Sequence, residues 1–168
     1  MKRKILTALG TVAALLVVGV GIWLWQYTRP GTPLELMGGI EADQGAVLMN
    51  YFDKEGGNNQ WGTCRLEGQD LEQMEQMLGQ LTFTREVRLE TLLGGGGNTY
   101  PLEESGYDWD IDFRAGEQRL GSLKWIQGNW YYFLPDGGRT ALQAAPGQEE
   151  TVQEILDFLL QRCEMQPA

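Results

Sequence analysis

Two kinds of hydrophobic pattern divide this chain. From Ile5 to Trp25 the sequence ILTALGTVAALLVVGVGIWLW carries no charge. Coiled as a helix at about 1.5 Å per residue it is roughly 31 Å long, enough to cross the hydrocarbon core of a bilayer. After it, apolar residues recur in short periodic stretches. Ala46 to Phe52 and Gln60 to Leu66 read as strands joined by the turn Gly56-Gly57-Asn58-Asn59. Gly68-Gln69-Asp70 opens a helix, with Asp70 as the expected N-cap and Gln73 reaching back in a capping box. Leu71, Met74, Leu78 and Leu81 follow helical spacing and define its buried face, with Met74 and Met77 expected as core filler. Thr82 to Leu92 reads as a strand, followed by a loop over Gly94 to Gly97.

From Tyr107 the period is two. Tyr107, Trp109, Ile111 and Phe113 alternate with Asp108, Asp110 and Asp112, as in a half-buried strand. Turns at Ala115-Gly116-Glu117 and Gln127-Gly128-Asn129 separate it from strands at Leu120 to Ile126 and Trp130 to Leu134. Trp130 to Leu134 is expected to be the last strand, ending at the turn Pro135-Asp136-Gly137-Gly138. Glu149 to Cys163 closes the chain as a helix with an apolar stripe of Val152, Ile155, Leu156, Leu159 and Leu160. The order, roughly ββαββββα after the N-terminal segment, predicts an α+β fold. It has two layers, with an antiparallel sheet packed against two amphipathic helices.

The flanks of the first segment orient it. Lys2, Arg3 and Lys4 precede it, whereas Arg29 alone follows closely, and Trp23, Trp25 and Tyr27 gather at its far end. The positive-inside rule and the aromatic belt predict a cytoplasmic tail at 1–4, a transmembrane helix at 5–25 and an extracytoplasmic domain at 34–168. A cleaved signal peptide would have a shorter apolar region and a small-residue cleavage site, and neither is present. Residues 26–33, with Pro30, Gly31 and Pro33, read as a linker.

Charge sharpens this division. The chain has 13 Lys and Arg against 23 Asp and Glu, and no His. Three basic residues precede Ile5, so the rest carries 10 basic against 23 acidic residues, a net −13. Such acidity argues against nucleic acid as a partner. Without His there is no Ser-His-Asp triad and no His-ligated metal.

Several residue groups invite a chemical reading. Asp108, Asp110 and Asp112 begin like a calcium loop, but the sixth and twelfth positions are Phe113 and Arg119, not Gly and Glu. They are weak candidates for a surface cation, and no metal or other cofactor is expected. Glu103, Glu104 and Asp108 are the carboxylates from which a glycan hydrolase could be built, though no spacing selects a pair. The Gly94–Gly97 loop lacks the Lys and the following helix of a phosphate loop. Cys64 and Cys163 are the only thiols. They could be bridged in an oxidising compartment or packed as free buried thiols.

The densest feature is aromatic. Trp125, Trp130, Tyr131, Tyr132 and Phe133 fall on two adjoining strands. Such rings can build a core, stack on a sugar or hold a quaternary ammonium group. Within residues 121–138, Lys124-Trp125-Ile126-Gln127-Gly128-Asn129-Trp130-Tyr131-Tyr132-Phe133 followed by Asp136-Gly137 resembles one choline-binding repeat of bacterial cell-wall proteins. The resemblance implies Trp125, Trp130 and Tyr132 as ligand-contacting aromatics. As a whole, the layout resembles small membrane-anchored α+β proteins of Gram-positive bacteria. The expected function is binding of another protein at the cell envelope. A cell-wall or choline-type ligand module is the alternative, and a carboxylate-dependent hydrolase the third.

Overall fold

The structure is a computed structural model that describes residues 2–87 and 104–168, with side chains from Thr11 onward. Among the described residues it is an α+β fold with one antiparallel sheet and four helices. Helix α1 spans Lys2–Tyr27 and the single-turn α2 spans Pro33–Leu36. Strands β1 (Gln44–Phe52) and β2 (Gln60–Glu67) lead to α3 (Gln69–Gly79) and the short β3 (Phe83–Arg85). A meander of β4 (Gly106–Ala115), β5 (Gln118–Ile126), β6 (Asn129–Phe133) and β7 (Arg139–Ala144) follows. Helix α4 (Glu149–Arg162) and the two-residue β8 (Gln166–Pro167) end the chain. The strand order is β3-β7-β6-β5-β4-β1-β2-β8, and every pairing is antiparallel.

Register explains the core. Met49 pairs with Trp109, Trp109 with Trp125, Trp125 with Trp130 and Trp130 with Leu142, so one row of large side chains crosses five strands. The next row carries Val47, Ile111, Leu123 and Tyr132. Against this face lie Leu71, Met74, Met77 and Leu78 of α3 and Ile155, Leu156, Phe158 and Leu159 of α4, all buried. The alternation in β4 is as expected: Trp109, Ile111 and Phe113 are wholly buried. Met74 and Met77 are core residues.

Three local expectations are corrected. Asp70 does not cap α3. The N-cap is Gly68, and the Asp70 carboxylate instead accepts from Arg162 Nε and Nη2 at 3.0 and 2.9 Å. The acid lies in the first turn of α3 and the arginine in the last turn of α4. Each charge therefore faces the favourable end of its helix dipole, and the ion pair outcompetes a cap. Second, Trp130 to Leu134 is not the last strand. Arg139–Ala144 adds β7 with a pattern of small and polar residues that carries little periodicity. Third, the strand expected over Thr82 to Leu92 is seen only as Phe83–Arg85, and its remainder from 88, with the Gly94–Gly97 loop, lies outside the described residues.

The stretch after α1 is tied to the sheet. Gly31 N–H donates to the Phe83 carbonyl at 3.0 Å, and Phe83 N–H returns a bond to Gly31 at 2.9 Å. Thr32 and Glu35 form a reciprocal capping box on α2. The chain thus joins the sheet four residues after α1 ends. Arg85 reinforces the junction. Its guanidinium donates to the carbonyls of Tyr27 and Leu36, and its Nε donates to the Tyr132 hydroxyl at 3.1 Å.

From Val12 to Trp23 the side chains of α1 are exposed, and only towards its end does the helix meet the domain, where the Tyr27 ring lies beneath the Arg85 guanidinium. Leu15 is 67% exposed, Val17 72% and Trp25 69%. Among the described residues, no helix is long and apolar enough to cross a membrane.

Candidate functional site

The β5–β6 hairpin is built by a tight turn. Gln127 and Gly128 have φ of 45° and 84°, the left-handed pair that a two-residue turn matched to strand twist requires. That turn puts Trp125 directly opposite Trp130. Their ring centroids are 6.5 Å apart. Trp109 stands edge-on to Trp130 at 5.2 Å and stacks with Trp125 at 6.3 Å, and Phe83 meets Trp130 from the other side at 4.9 Å. The aromatic cluster is therefore continuous with the core.

One edge of this cluster stays open. Trp125, half-buried, and Trp130, 3% exposed, form one wall of a cavity of about 370 Å³. The start of α4 also lines it, with Val152 and Leu156 one turn apart and Glu149 and Gln153 at the same spacing. Ala144 and Ala145 line it too. Gln148 fixes the helix start: its Oε1 accepts from Thr82 N–H at 2.6 Å, and its Nε2 donates to the carbonyls of Thr82 and Ala145. The floor is apolar and the polar groups stand on the α4 side, the usual make-up of a small binding site.

The three aromatics singled out from sequence do not form one site. Trp125 and Trp130 share the cavity, but Tyr132 does not line it. Tyr132 sits in the next row of the sheet, buried, with its hydroxyl bonded to Arg85. Tyr131 points to the opposite face, beneath the Arg139 guanidinium.

Asp108, Asp110 and Asp112 do share a face, and each has its own neighbour. Asp108 accepts from Asn50 Nδ2 at 2.7 Å, Asp112 from Arg119 Nε at 2.9 Å, and Asp110 pairs across the ladder with Lys124. Burial raises the Asp110 pKa, and Lys124 opposes this only in part. Among the described residues no group of three His, Cys, Asp or Glu side chains is arranged to hold a metal ion. Glu103 lies outside the described residues, and Asp108 is committed to Asn50.

Cys64 and Cys163 are bridged, closing a sequence separation of 99. The bond ties the end of α4 to β2 and so holds the cavity's helical wall against the sheet. Comparison with protein-family models, curated proteins and solved structures finds no match. The functional reading accordingly rests on the geometry above. Sequence reasoning missed the α4 wall of the cavity, because Val152 and Leu156 have the same helical spacing as the core stripe. It also missed Arg85, whose role depends on contacts distant in sequence.

Proposed function

We propose that this chain is a single-pass membrane protein, with its N-terminus in the cytoplasm and an acidic α+β domain outside. The domain binds another protein at the bacterial cell envelope. The observation that carries the reading is the uncovered apolar surface of α1. A helix apolar on all sides needs an apolar solvent, and the side chains from Val12 to Trp23 are left exposed by the domain. The charge-free run from Ile5 to Trp25 supports this, as does the basic flank at Lys2, Arg3 and Lys4. The disulfide supports an oxidising compartment for the domain.

The geometry favours a partner close to the bilayer. Gly31 is already paired with the sheet four residues beyond Tyr27, so the domain has little freedom to move away. The cavity of about 370 Å³ suits one or two apolar anchor side chains of such a partner. A photo-crosslinking amino acid at Gln153 in membranes tests the reading. Capture of a membrane protein that is lost on Trp125→Ala is expected. Capture that is indifferent to Trp125 would count against the cavity as the docking site.

A second reading has its own support. Trp125 and Glu149 line the same cavity, an aromatic face and a carboxylate suited to a small quaternary ammonium or glycan ligand. Calorimetric titration with choline and sedimentation with purified cell wall test it. Loss of either signal in Trp130→Phe and Trp125→Ala is the expected result if this reading holds.

A further inference from the structure

A second cavity, of about 390 Å³, lies where α1 meets the sheet, and its lining is polar rather than apolar. Gln26, Arg29, Glu35 and Arg85 supply its functional groups. Two guanidinium groups face it against one carboxylate, in a domain that is otherwise strongly acidic. Glu35, which also lines the cavity, is engaged by α2: its Oε2 accepts from Thr32 N–H at 2.9 Å. Arg85 is pinned by its bonds to Tyr27, Leu36 and Tyr132, which use one N–H on each of its three nitrogens and leave the second N–H of each terminal nitrogen for a ligand. Arg29 is exposed.

The position selects the ligand. The cavity begins within one turn of the stacked Trp23 and Tyr27 rings, whose centroids are 5.2 Å apart. Such rings sit at headgroup level when a helix crosses a bilayer. We infer that this cavity binds the phosphodiester group of a membrane phospholipid, with Arg29 and Arg85 as its ligands. This rests on the anchored reading of α1. One excess positive charge in the cavity matches the single negative charge of a phosphodiester, and guanidinium groups recognise phosphate oxygens with paired donors. The bound headgroup would fix the domain's tilt on the bilayer and hence the direction in which the Trp125 cavity faces.

The test uses the full chain in nanodiscs that contain phosphatidylglycerol and a phosphate-free diglucosyl lipid. Lipids retained on transfer to detergent are counted by native mass spectrometry. Wild type is expected to keep phosphatidylglycerol about tenfold more tightly, the worth of one charge-assisted hydrogen bond. Arg29→Gln should lose that preference, and Arg85→Lys should retain part of it. Near-UV circular dichroism verifies that both variants keep the fold. Equal retention of the two lipids, or an Arg29→Gln variant that behaves as wild type, would overturn the inference. Displacement of the lipid by excess inorganic phosphate would assign the cavity to a free anion instead. A chain that never enters the nanodisc would remove the anchored reading itself, an outcome distinct from the others.

Discussion

Reducing the Cys64–Cys163 bond leaves every side chain in place and removes one constraint, so its effect can be worked from the structure. The bond spans a sequence separation of 99. In the chain-entropy description, a loop of about 100 residues stabilises the folded state by about 4.7 kcal/mol. A domain of this size loses about 2 kcal/mol per molar urea, so the unfolding midpoint should fall by roughly 2 M. The assay is urea unfolding of the full chain in detergent, followed by Trp fluorescence, with and without reductant. Thiol titration of the unfolded protein confirms the redox state. The last turn of α4 should also lose amide protection on reduction, because Cys163 anchors it to β2. A midpoint shift below about 0.5 M, or free thiols in the unreduced unfolded protein, would refute the reasoning.

Four further outcomes follow from particular contacts. A Cβ on Gly62 would stand 2.8 Å from the Glu164 carbonyl and 2.9 Å from Met165 Sδ. Gly62→Ala should therefore cost about 1–3 kcal/mol in urea unfolding and free β8, raising amide exchange at Ala168. Burial raises the Asp110 pKa above its ordinary 3.8, so its stabilising contribution is complete below that value and is lost as pH rises through the folded pKa. Asp110→Asn should accordingly be more stable than wild type near neutral pH, with the gain closing below about pH 4 in a pH series of melts. Trp130→Ala opens the core beside Trp109 and Phe83 and should cost about 3–5 kcal/mol. Trp125→Ala should cost less, while acrylamide quenching of single-Trp variants should rank Trp61, 43% exposed, above Trp125 and both above Trp130.

The strands with strict alternation were readable because one residue in two must enter the core. Trp109, Ile111 and Phe113 are each wholly buried. The α3 face was equally legible, since Leu71, Met74 and Leu78 have no other way to share a side of a helix. β7 was not, because Thr140 and Ala141 look like turn residues until Tyr131 and Tyr132 are placed beside them. The cap of α3 failed for a related reason. Asp70 satisfies the local rule, but Arg162 lies 92 residues away and binds it more strongly than a backbone amide does. The aromatic site was half visible. Spacing placed Trp125 and Trp130 on adjoining strands, yet only the three-dimensional position of α4 turns them into a cavity wall and leaves Tyr132 outside it. Likewise, nothing in Pro30 or Gly31 announces the backbone bridge that Gly31 makes to Phe83.

An anchored chain holds its disulfide-bonded domain outside the cytoplasm, and the two thiols can report this directly. Spheroplasts of a bacterial host producing the full chain are treated with a membrane-impermeant maleimide, before and after an impermeant reductant. No labelling is expected at first, and labelling of both Cys64 and Cys163 after reduction, with the chain remaining in the membrane fraction. Cysteines that react only after the membrane is broken, and without reductant, would contradict it.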